Sequence, residues 1–177
     1  SKMSKSRGNF ISLKQALARY GADATRLTLL LSAEELDDPD WRERNVIESK
    51  NFLSNFLEIV GRAGSEARDG MADRWLLSML HLTVKKVTDA LESMKTRTAA
   101  SEAVYGMHNI WRWWLRRGGG RMGREFLEVW TRLLSPFAPF TAEEAWMRLG
   151  KKSFVSAERW PEYDPSKVDL KSVMMEE

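Results

Sequence analysis

Two lysines three residues apart stand at the front of the chain, in Ser1-Lys2-Met3-Ser4-Lys5-Ser6-Arg7-Gly8-Asn9. The stretch is polar, rich in small residues and closed by a Gly-Asn pair, which predicts a loop. On such a loop the ammonium groups of Lys2 and Lys5 can converge on one point. That arrangement suits a polyphosphate whose charge grows as it departs, because each lysine acts as a point charge without rigid geometry. Ser4 and Ser6 add hydroxyl donors, and Gly8 lets the backbone turn sharply. The plainer reading of a short Lys/Ser run is a solvated basic terminus.

A second cationic group lies between residues 112 and 124, where Arg112, Arg116, Arg117, Arg121 and Arg124 gather. Arg112 and Arg116 are four apart and share one face of the helix expected there, while Trp111, Trp114 and Leu115 fall on the apolar side. Arginine suits phosphate, so the stripe is a candidate RNA contact; an ordinary solvated helix face is the alternative. Trp113 lies off the apolar stripe and could stack on a base or pack on a neighbouring helix.

Other polar residues point to structure rather than chemistry. Asp37 and Glu48 have the spacing of the ends of a calcium loop. Pro39, Trp41 and Arg42 occupy positions that need an oxygen ligand or glycine, so no metal site is expected. His81 and His108 have no ligand-spaced partner and read as structural. Asp23 and Arg26, at i and i+3, read as a helix-start pair.

The elements that would position these groups are helical. Ser12 and Gln15 have capping-box spacing, and the helix they open should stop at Gly21. A second helix is expected over 22–33, broken by the acidic stretch around Pro39. Leu53, Phe56, Leu57 and Val60 mark a third, ending near Gly61 and Gly64. Leu76, Leu80, Val84, Val87, Leu91 and Met94 extend a fourth over about five turns. One continuous helix is expected over 98–117, closed by Gly118-Gly119-Gly120. Another carries Phe126, Leu127, Trp130, Leu133 and Leu134 up to Pro136. Thr141 with Glu144 predicts a further capping box, opening a short helix that Gly150 ends. The stretch from Ser153 reads as irregular, and 171–177 as frayed. Four long helices with short links predict a mainly α, up-down bundle.

Composition agrees with this reading. The chain has 177 residues, 43% hydrophobic and 30% charged, which suits a globular domain with a real core. No apolar run approaches the roughly 20 residues of a membrane span, so no membrane partner is expected. The absence of cysteine excludes disulfides and cysteine-ligated zinc. Net charge is only +3, so any nucleic-acid role rests on where charge clusters.

The run Lys2-Met3-Ser4-Lys5-Ser6 is identical to the KMSKS signature of class I aminoacyl-tRNA synthetases. A given five-residue word turns up by chance in a chain of this length roughly once in 20,000 sequences, which outweighs ordinary motif risk. Further stretches resemble the same family: Gly21-Ala22-Asp23 with Arg26, Leu29-Leu30-Leu31, Leu134-Ser135-Pro136-Phe137-Ala138-Pro139-Phe140, Glu143-Glu144-Ala145-Trp146, and Trp160-Pro161. Within the family they resemble the subgroup for leucine, isoleucine, valine and methionine. The run from Ala33 to Arg42, with Trp111 to Arg117, is most similar to leucyl-tRNA synthetases of the archaeal and eukaryotic type.

The resemblance implies an aminoacyl-tRNA ligase that activates leucine with ATP and transfers it to tRNA. Lys2 and Lys5 would be catalytic, Lys2 through Ser6 would bind ATP, and Mg²⁺ would accompany ATP rather than be held by this chain's side chains. It implies three parts: 1–40, the KMSKS loop and helical connector; 41–150, an anticodon-binding-like helical bundle that binds tRNA; and 151–177, an irregular extension. The family's HIGH motif and nucleotide-binding sheet are not in this sequence. An N-terminal catalytic domain of the same polypeptide is therefore an expected partner, and this part alone is expected to be inactive. A cytoplasmic monomer is expected. The open alternatives are the same region of an isoleucyl-, valyl- or methionyl-tRNA synthetase, and a non-catalytic helical scaffold for protein partners.

Overall fold

The computed structural model describes residues 10–34, 39, 41–62 and 71–174, and among them there is no strand. Helix α1 spans Leu13–Tyr20, with the expected capping box in place. The Ser12 hydroxyl accepts the Gln15 N–H at 3.2 Å, and Gln15 Oε1 accepts the Ser12 N–H at 3.1 Å. Gly21 ends α1 at φ +86°, a backbone state that favours glycine. Helix α2 spans Ala22–Ser32, α3 Glu43–Gly61 and α4 Met71–Glu92.

The stretch expected as one helix over 98–117 is α5, Thr96–Ser101, then a π-helical turn, Glu102–Gly106, then α6, Met107–Arg116. The wider turn is a departure from the sequence expectation, because side-chain periodicity does not register one inserted residue. Its Ala103 carbonyl accepts the indole N–H of Trp130 at 2.7 Å. Helix α7 spans Gly123–Leu134 and α8 Pro139–Arg148. Two 3₁₀ turns, Val155–Ala157 and Pro165–Lys167, and a short helix α9, Leu170–Val173, follow.

Trp130 is the hub of the core. It is fully buried, edge-on to Phe56 at 4.8 Å and to Phe126 at 5.8 Å, with Phe52 and His108 at 6.3 Å. Edge-to-face rings at such spacings add about 0.5–1.5 kcal/mol per pair beyond the area they bury. Helix α2 packs on α3 and α5, so the connector is seated on the bundle.

Two further expectations are corrected here. Thr141 and Glu144 form no capping box: α8 begins three residues earlier, with Pro139 in its first turn and no local side-chain cap. Glu144 instead pairs with Arg148 at 2.7 Å. The stretch from Ser153 is irregular apart from its two 3₁₀ turns, and it lies along a polar stripe of α4. Trp160 donates its indole N–H to Thr88 Oγ1 (2.9 Å), the Asp164 N–H to His81 Nδ1 (3.1 Å), and the Asp169 N–H to Ser78 Oγ (2.9 Å). Lys171–Val173 belong to α9 and Ser172 is buried, so fraying there is overturned; 175–177 lie outside the described residues.

Candidate nucleic-acid interface

The expected nucleotide loop, Lys2, Met3, Ser4, Lys5 and Ser6, lies outside the described residues, as do Asp37 and Asp38 of the acidic stretch. What can be described begins at Phe10, where a groove of about 500 Å³ is lined by Phe10, Ile11, Gln15, Arg19, Tyr20, Trp41 and Glu43. Glu43 organises its polar side, accepting the Tyr20 hydroxyl at 2.7 Å and pairing with Arg19 at 2.6 Å. That hydrogen bond to Glu43 raises the Tyr20 pKa above its ordinary value.

The five arginines of the second cluster divide by what they touch. Arg112 and Arg116 project from one face of α6 and are exposed, and Arg117 caps the same helix end. Among the described residues no carboxylate pairs with Arg112, Arg116 or Arg117. Arg121 sits in the turn between α6 and α7 and is engaged by its neighbours. Arg124 is drawn into the fold: one guanidinium nitrogen donates to the Leu149 carbonyl, and its Nε lies 3.4 Å from Glu128. Glu128 also holds Lys151 at 2.9 Å.

Trp113, off the apolar stripe, packs on a neighbouring helix. Its ring stacks on Trp75 of α4 at 3.7 Å with the planes 23° apart, and the Arg117 guanidinium lies over the Trp113 ring at 3.5 Å. The result is a three-layer column from the core outward: Trp75 is buried, Trp113 half-buried, Arg117 exposed. Among the described residues the buried Trp75 indole N–H has no hydrogen-bond partner, and ring contact sets its position. Leu115, expected on the apolar side, is 50% exposed: the buried stripe of α6 runs through Met107, Ile110, Trp111 and Trp114 instead.

Asp73, which the sequence did not single out, shapes this end of the bundle. Its carboxylate accepts the Trp114 indole N–H at 2.9 Å and the Arg121 backbone N–H at 3.0 Å. A Cβ on Gly120 would collide with that carboxylate, and one on Gly123 would come within 2.7 Å of the Trp114 ring. Gly118 and Gly119, at φ +93° and +64°, supply the left-handed turn. Asp73 thus ties the start of α4 to α6 and to the turn that follows it.

Asp23 and Arg26 do not act as a local pair. Asp23 reaches to α8, where its buried carboxylate accepts the N–H groups of Phe140 (3.4 Å) and Thr141 (2.5 Å). Arg26 donates from Nε and Nη2 to the Pro136 carbonyl at 3.0 and 2.8 Å. Glu34 caps α5 in the same remote manner, taking the Thr98 N–H and hydroxyl at 2.9 and 3.0 Å, and those hydrogen bonds lower its pKa. His108 lies edge-on to Phe52 at 6.1 Å, and burial, then the charge of Arg112, lowers its pKa. His81, the acceptor for Asp164, is lowered by burial. No group of three or more metal-ligating side chains occurs among the described residues. None of their helices is long and apolar enough to cross a membrane.

Comparison with known proteins accounts for this arrangement. Residues 73–177 match the family described as the anticodon-binding domain of tRNA ligase, and residues 1–63 match class I tRNA synthetases (M). The leucine–tRNA ligase of Archaeoglobus fulgidus is 40% identical over 178 residues, covering 99% of this chain and 19% of that protein. That of Aeropyrum pernix is 43% identical over 176 residues, covering 94% and 18%. Among solved structures, the ternary complex of Agrobacterium radiobacter K84 agnB2 LeuRS with tRNA and LeuAMS superposes with a TM-score of 0.78. It is 25% identical, and the match covers 94% of this chain and 23% of that one. This chain thus spans about a fifth of the length of the curated relatives it matches.

Proposed function

Because the chain belongs to the family of anticodon-binding domains of tRNA ligases, we propose that it is the tRNA-binding part of a leucine–tRNA ligase, together with the loop that serves its nucleotide. The observation that carries this reading is continuity. Similarity to a leucine–tRNA ligase, 40% identical, covers 99% of the chain and so takes in the lysine loop, the connector and the bundle together. On this reading residues 1–40 work with the catalytic domain, 41–150 form the tRNA-binding bundle, and 151–177 buttress it along α4. The intact protein is a cytoplasmic monomer that uses ATP, with Mg²⁺ arriving on the nucleotide.

The chemistry follows from charge. When the leucine carboxylate attacks the α-phosphorus of ATP, negative charge builds on the departing pyrophosphate oxygens. Lys2 and Lys5 favour that state over the ground state, and this difference is what accelerates the step. Lys5 carries the larger share of transition-state stabilisation. The bundle meanwhile holds the tRNA so that its acceptor end reaches the adenylate.

The test uses the intact polypeptide, assayed for aminoacylation with leucine, isoleucine, valine and methionine. Leucine alone should be charged, and preferential charging of another amino acid would overturn the leucine assignment. Lys5→Ala should slow leucine-dependent pyrophosphate exchange by on the order of a hundredfold or more. Exchange left intact by Lys2→Ala and Lys5→Ala together would refute the loop's role.

A further inference from the structure

We propose that Arg117, laid flat on the Trp113–Trp75 column at the end of α6, is a pre-organised contact for the sugar-phosphate backbone of the tRNA. The proposal rests on the tRNA-binding reading above and gives it a site. Its ground is the difference between arginines that the fold consumes and arginines that it does not. Arg26, Arg124, Arg132 and Arg148 all donate to main-chain carbonyls, and Arg19, Arg44 and Arg62 face carboxylates within 3.4 Å. Among the described residues Arg117 has neither kind of partner: its contact is an aromatic face.

That contact is well suited to the task. A guanidinium loses rotamer entropy when it binds phosphate, and a side chain already fixed by stacking has less to lose. Stacking engages the flat face of the cation and leaves its N–H edges directed outward in the ring plane, where a phosphate accepts two of them. Trp113 can hold the arginine in place because Trp75 backs it from the core at 3.7 Å. Arg112 and Arg116, exposed and without carboxylate partners among the described residues, extend the positive surface along α6. The column also explains an aromatic residue placed off the apolar stripe of its own helix: Trp113 is a positioning residue for Arg117.

The experiment measures binding of a leucine tRNA transcript to the intact polypeptide by fluorescence anisotropy across a range of salt concentrations, with each variant's thermal unfolding as a check on its fold. Arg117→Ala should weaken binding on the order of tenfold and reduce the slope of log affinity against log salt by about one, as loss of one phosphate contact requires. Arg117→Lys and Trp113→Leu keep the charge, so they should weaken binding several-fold and leave the slope unchanged. Arg44→Ala, which removes a paired arginine on α3, should change neither quantity. Wild-type affinity and slope in Arg117→Ala would overturn the proposal while leaving tRNA binding standing, and an equal loss in Arg44→Ala would overturn it in favour of general charge attraction. No binding by the unaltered chain would remove the tRNA reading itself and this site with it.

Discussion

Helix α8 and the C-terminal end of α6 are both rich in charge, and they use it in opposite ways. At α8 every described charge is spent on the fold. Asp23 takes the first N–H groups, Arg26 holds the carbonyl of Pro136 just upstream, and Arg124 holds that of Leu149 at the far end. Within the helix, Glu143 accepts the N–H groups of Val155 and Ser156, and Arg148 pairs with Glu144 and reaches the Leu57 carbonyl. At the end of α6, Arg112, Arg116 and Arg117 have no carboxylate or carbonyl partner among the described residues. The difference shows what marks a candidate interface. A run of arginines says little until it is known which of them the chain itself already occupies.

The comparison is broken most directly at Asp23. Its carboxylate is buried and serves two helix N–H groups that have no local cap. Asp23→Ala should therefore lower stability by about 2–3 kcal/mol, the scale of losing a charged acceptor for buried donors. Urea unfolding measures it. A loss below about 0.5 kcal/mol would mean that α8 does not depend on its remote clamp.

The same contrast separates what the sequence disclosed from what it withheld. The α1 cap was readable because Ser12 and Gln15 are three apart, and a local hydrogen bond leaves a local spacing. The α8 cap was misread because Thr141 and Glu144 have equally good spacing, while the true acceptor lies 118 residues away in sequence from the N–H of Thr141. Asp23 itself was noticed, but as a partner for Arg26, since sequence distance was the only distance at hand. Asp73 was passed over for the same reason, its partners being Trp114 and Arg121. The helices and their apolar stripes were legible from periodicity. The π-helical turn at 102–106 was not, because it shifts the stripe too little to see. The arginine cluster was legible as a set but not as a division, since only the packed chain shows that Arg124 belongs to α8.

A smaller effect tests how closely the α6 arginines touch the core. His108 is held below its ordinary 6.5, first by burial and second by the Arg112 charge, and burial lowers His81 likewise. A histidine with a lowered pKa in the folded state is neutral in both states above about 6.5, where its contribution to stability is complete. As pH falls below that value the unfolded chain takes up the proton first, and stability is lost until the folded-state pKa is passed. The unfolding midpoint should thus drop between about pH 7.5 and about pH 5.5. Arg112→Ala should make the drop shallower, because it removes one of the two causes at His108 and leaves His81 unchanged. An identical pH profile in that variant would disconnect Arg112 from the core.

The smallest expected change is the most discriminating. Arg112→Ala and Arg116→Ala together remove two positive charges and leave no described buried group without a partner, since neither arginine holds a carbonyl or a carboxylate among the described residues. At about neutral pH the pair should alter stability by less than about 0.5 kcal/mol, with the helix dipole at the α6 terminus accounting for most of it. The Asp23 variant changes a single residue, on α2, that clamps the start of α8, and should cost several times more. Calorimetric unfolding of the two variants side by side decides the matter. A loss of about 2 kcal/mol or more in the double arginine variant would mean that α6 uses its charges as α8 does, and the case for an uncommitted, RNA-facing surface there would fail.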